Sequence, residues 1–238
     1  MLVVPYVAGL VLRISEGRLN VASVLLFPTW MIGYFAFNAA SLWLKSRRRA
    51  RYLPPARTYV LITAALGVGV LVAQFSLVWW LPIFAPLLAV GLWFAWRRDE
   101  RSLPSGAVTV AAACLMLLVV YTNSPADVRW PSYAVAAALA CFGYFFGTVL
   151  YVKTMIRERG EIAYVAASIG WHVACVVVAL RFPRESWLLA AFFAVMLARA
   201  VTMPLVGPMR GRTISAKHLG IGEAAASLAL LMLLVLIP

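Results

Sequence analysis

The chain has 238 residues, of which 64% are hydrophobic and only 12% are charged. Ordinary soluble domains are closer to half apolar and a quarter charged, so the charged side chains here are too few to cover a water-soluble globule. This composition excludes a soluble enzyme, a disordered chain and a disulfide-rich scaffold. It predicts a protein that crosses a membrane several times.

The net charge of +13 comes from 21 lysines and arginines against 8 acidic residues. Because the basic residues lie between apolar runs, they indicate membrane topology rather than nucleic-acid binding. The three cysteines, Cys114, Cys141 and Cys175, lie inside apolar runs without the spacing of metal ligands. We therefore expect membrane lipids as partners, no nucleic acid, no cofactor and no metal, while protein partners stay unspecified.

Apolar runs separated by charged or turn residues follow one another along the whole chain. They predict an all-α fold, a polytopic transmembrane helix bundle that forms a single integral membrane domain over residues 1–238. The eight runs that are long enough to span a membrane cover residues 21–44, 58–75, 76–96, 106–121, 132–152, 162–180, 187–202 and 219–237. The second and third of these runs meet at Gln74 with almost no loop, which predicts a tight hairpin.

A shorter apolar run covers residues 1–12. Twelve residues rise about 18 Å as a helix, whereas the hydrocarbon core of a bilayer is about 30 Å thick. Either this run is a half-span, or the native start lies upstream of Met1 and the sequence begins inside a first helix.

The basic residues are distributed unevenly over the loops. With nine helices, the loops after the second, fourth, sixth and eighth share one side; these loops and the adjoining Arg199 hold 16 of the 21 lysines and arginines. They are Lys45, Arg47, Arg48, Arg49, Arg51, Arg57, Arg97, Arg98, Arg101, Lys153, Arg157, Arg159, Arg199, Arg210, Arg212 and Lys217. The opposite loops hold 5, namely Arg13, Arg18, Arg129, Arg181 and Arg184. Since cytoplasmic loops carry the basic excess, we expect the N-terminus in the cytoplasm and the C-terminus outside. The bias towards arginine, alanine and valine predicts a GC-rich bacterial source, so the expected location is a bacterial cytoplasmic membrane.

Two stretches fifty residues apart are similar to each other. Residues 41–60 read SLWLKSRRRARYLPPARTYV, residues 91–110 read GLWFAWRRDERSLPSGAVTV, and eight of the twenty positions are identical. The similarity indicates either an internal duplication or two convergent cytoplasmic helix ends. Repeats in membrane proteins often have a ligand cavity between them.

Three polar residues lie inside predicted spans, where a polar group is costly and a functional role has to be considered. Asn38 either bonds a neighbouring carbonyl or contacts a ligand. His172 is a hydrogen-bonded core histidine, a substrate ligand or part of a proton relay. Glu223 complements the start of its helix, pairs with a loop arginine, or acts as an acid or base.

The segment 147–160, GTVLYVKTMIRERG, ends in a cluster of cations. Lys153 and Arg157 are four residues apart and share a helix face. Two cations on one face, with Arg159 close by, suit a bound anion such as a lipid phosphate or diphosphate. The alternative is ordinary cytoplasmic charge with snorkelling side chains.

Three runs of this sequence, GLWFAWRRDERSLPSG, GTVLYVKTMIRERG and KHLGIGE, resemble the YwiC-like family of bacterial multi-pass membrane proteins. The likeness covers nearly the whole chain. Members of that family begin with a short polar stretch containing His-Gly-Ala-Trp before residues like MLVVP, so the resemblance also implies a native start upstream of Met1.

The helix order also resembles that of UbiA-type prenyltransferases, which implies nine helices with active loops after the second and sixth. Asn38 matches the first residue of their Asn-Asp-x-x-Asp motif. Arg51 and, more closely, the run from Arg101 to Gly106 match the R-x-L-P-S-G-like segment that follows that motif. The aspartates themselves are replaced, by Ala39 and Leu42 in the first motif.

The second aspartate motif of that family would fall at residues 153–160, where this chain has cations and Glu158. Those aspartates hold magnesium on a diphosphate, so magnesium-dependent prenyl transfer is not expected here. Three functions stay open: binding of an anionic or isoprenoid lipid head group at the cytoplasmic face, a prenyltransferase-like enzyme acting on a lipid or quinone precursor, and a small-solute transporter. The residues predicted for ligand or anion binding are Asn38, Arg51, Arg101, Lys153, Arg157, Arg159, His172 and Glu223.

Overall fold

The computed structural model describes residues 1–181, 187–209 and 215–236, and this described part consists of helices joined by short turns. The α-helices are α1 (Val3–Ser15), α2 (Val21–Lys45), α3 (Leu53–Ala73), α4 (Leu81–Arg97), α5 (Leu103–Thr122), α6 (Tyr133–Ile156), α7 (Ile162–Ala179), α8 (Trp187–Met209) and α9 (Ala216–Leu236). Three 3₁₀ segments lie at Ala50–Tyr52, Phe75–Trp80 and Pro125–Asp127. Arg184, Arg210 and Arg212 lie outside the described residues.

Eight helical segments of the described chain, each containing one of α2 to α9, are long and apolar enough to cross a membrane, and α1 is a shorter apolar helix. The predicted all-α, multi-pass membrane fold is therefore confirmed. The helices extend past the ends of several apolar runs, because backbone hydrogen bonds continue beyond the last apolar residue. As a result, Lys153 lies in the last turn of α6 rather than in a loop.

Local sequence explains where several helices begin. Asn20 accepts a hydrogen bond from the backbone N–H of Ser23 at 2.8 Å, and the Ser23 side chain bonds back to Asn20, forming a capping box before α2. Ser102 caps α5 in a similar way. Prolines occupy the first turns of α3, α4 and α5, where their missing N–H costs nothing. The predicted near-absence of a loop at Gln74 is present, since α3 ends at Ala73 and the 3₁₀ segment Phe75–Trp80 leads directly into α4, but a tight packing of α3 on α4 stays a prediction.

The chain divides into two compact units. The N-terminal unit comprises residues 2–135 and contains α1 to α5, and the C-terminal unit comprises Met1 with residues 136–238 and contains most of α6 and α7 to α9. The single domain over residues 1–238 stays a prediction.

In the N-terminal unit, α2 packs against α3 and α4, α4 packs against α5, and α1 packs against α5. The contact between α1 and α5 is so close that a Cβ atom at Gly9 would clash with the carbonyl oxygen of Leu117. Arg13 at the end of α1 is buried and donates from Nη1 to the carbonyl oxygens of Val120 and Tyr121 at 3.1 and 3.0 Å. These bonds satisfy carbonyl groups in the last turn of α5.

In the C-terminal unit, α8 packs against α7 and α9. The helices α6 and α7 lie close together at the small residues of α6, where the indole N–H of Trp171 donates to the carbonyl oxygen of Gly143 at 2.8 Å. A Cβ atom at Gly147 would lie 3.0 Å from Nε2 of His172. The same Cβ atom would lie 3.2 Å from Cδ1 of Trp171, so glycine at position 147 lets both polar side chains of α7 reach α6.

Candidate functional site

Three of the predicted binding residues lie in the N-terminal unit without converging on one point. Asn38 donates from Nδ2 to the carbonyl oxygen of Tyr34 at 2.9 Å, one turn back in its own helix. Arg51 lies over the ring of its neighbour Tyr52, with Nη2 donating to the phenol oxygen at 2.7 Å. Arg101 is exposed in the turn before α5. Asn38 thus has the neighbouring-carbonyl bond that was one of its two interpretations.

The three cations at the end of α6 occupy different environments. Lys153 is buried, and its ammonium nitrogen lies 5.7 Å from the centre of the Tyr164 ring. Arg157 is exposed beyond the helix end, which is Ile156. Arg159 donates from Nε and Nη2 to the carbonyl oxygen of Met155 at 3.2 and 2.7 Å and so caps the helix. Anion binding by this cluster stays a prediction.

Glu223 lies in a buried polar cluster of the C-terminal unit. One carboxylate oxygen pairs with Nη1 of Arg199, and the other accepts hydrogen bonds from the hydroxyls of Thr148 and Tyr144 at 2.8 and 3.1 Å. The side chains of Arg199 and Glu223 are only 16% and 14% exposed. Glu223 therefore pairs with an arginine, as one interpretation of the sequence had it, but with one in the middle of α8 rather than one in a loop.

His172 is buried, and its Nδ1 lies 2.7 Å from the carbonyl oxygen of Ser168, one turn back in α7. Its Nε2 faces Gly147 of α6, one residue before the Thr148 that bonds Glu223. The structure thus brings two of the predicted residues, His172 and Glu223, into the same region of the C-terminal unit.

An arginine-lined cleft of about 480 Å³ lies between the ends of α2 and α4 in the N-terminal unit. Arg47, Arg48 and Arg98 line it, together with Leu44 and Trp96. We call this the arginine cleft. Three guanidinium groups around one cleft form a strongly electropositive surface, whose planar donors match phosphate and carboxylate oxygens.

All three arginines of the cleft have left-handed backbone conformations, with φ of 59° for Arg47 and 60° for both Arg48 and Arg98. This conformation disfavours bulky side chains and is normally left to glycine or asparagine. Strained positions of this kind cluster at functional sites. The salt bridge between Lys45 Nζ and Glu100 Oε2, at 2.5 Å, and the bond from Arg98 Nε to the Lys45 carbonyl, at 3.2 Å, tie the two helix ends together.

An apolar cavity of about 590 Å³ lies between α2, α3, α4 and α5 of the same unit. Leucines, aromatic residues and small residues line it, and no charged side chain does so among the described residues. The three threonines at its wall, Thr29, Thr63 and Thr109, donate their hydroxyls to carbonyl groups of their own helices at 2.8, 2.7 and 2.9 Å. The cavity therefore offers hydrocarbon surface with little polar competition.

The apolar cavity and the arginine cleft share two helix faces. Ala40 of α2 and Leu92 of α4 line the cavity, and Leu44 and Trp96, each four residues further on, line the cleft. Residues four apart lie on the same face of a helix, about 6 Å along its axis. The cleft therefore lies one turn beyond the cavity on both helices.

Sequence reasoning did not select four residues of these sites, namely Arg47, Arg48, Arg98 and Arg199. It assigned them to the cytoplasmic charge excess, since a count of loop charges does not show where a side chain points. Two signals pointed to them. Arg47 and Arg48 align with Arg97 and Arg98 in the internal similarity, and Arg199 is the only cation inside the apolar run 187–202.

The fold and these sites define a class of protein: a helical membrane protein. Its described residues form eight candidate spans and contain an arginine cleft, an apolar cavity and a buried ion pair. The model of the YwiC-like protein family matches residues 1–121, and the chain belongs to that family. This match covers α1 to α5 up to Tyr121, and so it covers every residue that lines the arginine cleft and the apolar cavity.

Two relatives extend the similarity. A Haemophilus influenzae protein titled "Uncharacterized protein" is 24% identical over 234 residues, which cover 98% of this chain and 92% of that protein. The Bacillus subtilis protein titled "Uncharacterized protein YwiC" is 25% identical over 192 residues, which cover 81% of this chain and 77% of that protein. No solved structure matches the chain. The resemblance to UbiA-type prenyltransferases stays a prediction.

Proposed function

We propose that this protein binds a lipid with an anionic head group at the cytoplasmic face, with the head group in the arginine cleft and a hydrocarbon chain in the apolar cavity. The observation that carries this proposal is the arrangement of the two spaces, one cationic and one apolar, one helix turn apart on the same faces of α2 and α4. A single amphiphilic molecule satisfies both.

The charge of the cleft supports a phosphate-bearing head group. Hydrogen bonds between guanidinium groups and phosphate oxygens are charge-assisted and frequently bidentate. Arginines at three left-handed positions keep their side chains at the cleft although asparagine or glycine would be less strained there. The predicted orientation, which rests on the excess of lysine and arginine, puts this cleft on the cytoplasmic side.

The shape of the cavity supports a hydrocarbon chain. Along α4 its lining runs from Leu81 to Leu92, about 16 Å at the helical rise, which is roughly one leaflet of a bilayer core. Several lining residues are exposed, including Val60 at 49% and Leu88 at 47%, so the cavity opens sideways. Inside a membrane, that opening meets lipid chains directly.

Native mass spectrometry of the protein purified with its own membrane lipids tests this proposal. Two added probes, a polyprenyl phosphate and phosphatidylglycerol, distinguish an isoprenoid lipid from a bulk phospholipid. The triple variant Arg47→Asn, Arg48→Asn, Arg98→Asn removes the charges while asparagine tolerates the left-handed backbone. We expect it to lower the affinity for the bound probe roughly tenfold or more, the size expected from lost charge-assisted bonds.

A matched control variant distinguishes the effect of the cleft arginines from the effect of a lower net charge. The triple variant Arg49→Asn, Arg57→Gln, Arg97→Asn removes the same charge close to the same helix ends, at residues that do not line the cleft, so binding is expected to persist. An equal loss of affinity for the lipid probe in both triple variants would contradict binding of the head group in the arginine cleft. Loss in a Lys153→Ala, Arg157→Ala double variant but not in the cleft variant would instead place the head group at the end of α6.

A second pair of variants tests the chain cavity. A Cβ atom added at Gly67 or at Gly69 would meet nothing within 4 Å, so both positions have room for a larger side chain. Gly67 lines the apolar cavity, and Gly69 does not. Gly67→Leu is expected to fill the cavity and displace the lipid, and Gly69→Leu is expected to leave it bound. Retention of the same lipid by Gly67→Leu would show that the chain lies elsewhere.

A further inference from the structure

The Arg199–Glu223 pair involves none of the residues proposed for the lipid site. Arg199 lies twelve residues into α8 and Glu223 seven residues into α9, which corresponds to about 18 and 10 Å along the helices. Among the described α-helices, Glu223 is the only acidic residue. A buried charge in a membrane span is costly and by default marks a functional site.

The planar guanidinium group of Arg199 has a contact along one of its edges and another on one of its faces. Its Nη1 pairs with Glu223, and its central carbon lies 4.2 Å from the centre of the Tyr151 ring. The opposite edge consists of Nε and Nη2, which are buried and have no hydrogen-bond partner among the described residues. These two N–H groups point in the same direction and form the fork that binds two oxygens of a carboxylate or phosphate.

Leaving such donors without a partner is unfavourable, because buried donors lose their hydrogen bonds to water. An anion at the fork restores those bonds, but it adds a second negative charge beside Glu223. In a region of low dielectric constant, this excess charge is strongly unfavourable. Uptake of one proton by Glu223 keeps the site neutral, and the neutral carboxyl can still bond the hydroxyls of Thr148 and Tyr144.

We infer that Arg199 is an anion site inside the membrane, at which the Nε/Nη2 fork binds a carboxylate or phosphate while Glu223 takes up one proton. The proton comes from solution and forms an O–H bond on the carboxylate as its pairing with Nη1 is released. The fork is covered in this structure, so side chains around Arg199 rearrange when the anion enters.

Other groups that can carry charge face this site from the neighbouring helices. Tyr144 bonds Glu223, and Tyr151 lies against Arg199; both belong to α6. His172 of α7 lies against Gly147, the residue before the Thr148 that bonds Glu223. Titration of His172 is therefore a competing source of any pH dependence, and a His172→Gln variant distinguishes it.

Isothermal titration calorimetry of the purified protein, in two buffers with different ionisation enthalpies, measures both affinity and proton uptake. Butyrate and inorganic phosphate are the probes, and the proton count is taken from butyrate because phosphate itself titrates near neutral pH. We expect uptake of one proton per butyrate, and therefore an affinity for butyrate that falls as the pH rises, by up to about tenfold per pH unit.

Glu223→Gln mimics the protonated carboxyl, so it is expected to bind butyrate without proton uptake and without the pH dependence. Arg199→Lys keeps the charge but loses the fork, and its affinity is expected to fall at least tenfold. Arg181→Lys is the matched control at an exposed position that belongs to no proposed site, and it should behave like the wild type. Size-exclusion chromatography and thermal melting verify that each variant is folded.

The inference would be overturned by binding of neither probe by the wild type at pH 6, by unchanged pH dependence in Glu223→Gln, or by equal weakening in Arg199→Lys and Arg181→Lys. Loss of the pH dependence in His172→Gln, with Glu223→Gln unchanged, would also overturn it, because the proton would then lie on His172. If Arg199→Lys does not fold, the Glu223→Gln measurement decides alone.

Discussion

In the sequence, Arg13 and Arg199 both count among the charges that indicate membrane topology, yet the structure buries most of each side chain. The Arg13 guanidinium also donates from Nε to the carbonyl oxygen of Arg18 at 2.8 Å, in addition to its two bonds to the end of α5. Arg199 pairs with Glu223 across two helices. A charge count gives the side of the membrane but not the partner of an individual arginine.

Near Arg13, the turn after α1 carries a titratable surface contact outside the spans. Glu16 accepts a hydrogen bond from the phenol of Tyr121 at 2.6 Å and one from Arg18 Nη1 at 2.7 Å. These two partners, Tyr121 first, lower the pKa of the Glu16 carboxyl below its usual value of 4.5. Both charged side chains are more than 40% exposed, at 44% for Arg18 and 42% for Glu16, so the stabilisation is small.

A carboxyl with a lowered folded-state pKa stabilises the protein above its unfolded-state pKa and loses that effect as the pH falls through the folded value. We therefore predict that Glu16→Gln lowers the melting temperature slightly at pH 7, and that the difference from the wild type shrinks as the pH falls below about 4.5. Thermal melting over a pH series checks this. A difference that grows towards low pH would contradict the assigned contact.

At the scale of elements, the docking of α1 on α5 depends on one small residue. A Cβ atom at Gly9 would meet the backbone of Leu117, which cannot move as a flexible side chain could. Gly9→Ala is therefore predicted to destabilise the protein by about 1–3 kcal/mol, the usual cost of overpacking. Melting temperature in detergent is the measurement.

Gly170 of α7 is the matched control for Gly9, because a Cβ atom there meets nothing within 4 Å. Alanine is the better helix former, so Gly170→Ala is expected to be neutral or to stabilise by up to about 1 kcal/mol. If the two substitutions had the same effect, helix propensity rather than the contact with Leu117 would determine the role of Gly9.

The ends of α2 and α4 show an element-level similarity that matches the similar sequence stretches. Both helices end next to arginines in left-handed conformations, and both are followed by a helix with proline in its first turn. The arginine cleft lies between these two ends. The two stretches thus form corresponding parts of one candidate site, whether they arose by duplication or by convergence.

At the scale of the whole molecule, membrane orientation is the prediction that can be tested most directly. The basic excess places the turn between α2 and α3 in the cytoplasm and the segment between α5 and α6 outside. Ala50 and Ala126 are exposed residues in these two segments. Cysteines at these positions, in a background with Cys114, Cys141 and Cys175 replaced by alanine, report the side of each.

We expect a membrane-impermeant thiol reagent, applied to intact cells, to label Ala126→Cys and to label Ala50→Cys only after the membrane is opened. The physical reason is that translocation leaves basic loops on the cytoplasmic side. The reverse labelling pattern would invert the topology and would place the arginine cleft on the outer face.

The sequence by itself determined the class of protein. Eight long apolar runs with few charges leave no stable alternative to helices in a bilayer, because every backbone polar group must be satisfied within the segment. The helix positions, the short connection at Gln74 and the membership in the YwiC-like family follow from local residue patterns, and each is confirmed. Glu223 and His172 were identified for the same reason, since a polar residue inside an apolar run is visible without a structure.

Only the tertiary structure decided which of these residues meet. The Arg199–Glu223 pair joins positions 24 residues apart, and the arginine cleft joins the ends of two helices that a third helix separates in the chain. The direction of a side chain around its helix depends on packing against neighbouring helices. That packing in turn depends on close approaches such as Gly9 against Leu117, which composition and hydropathy do not encode. The sequence thus defines which segments enter the membrane, and the packing of those segments defines where charge and apolar space come together.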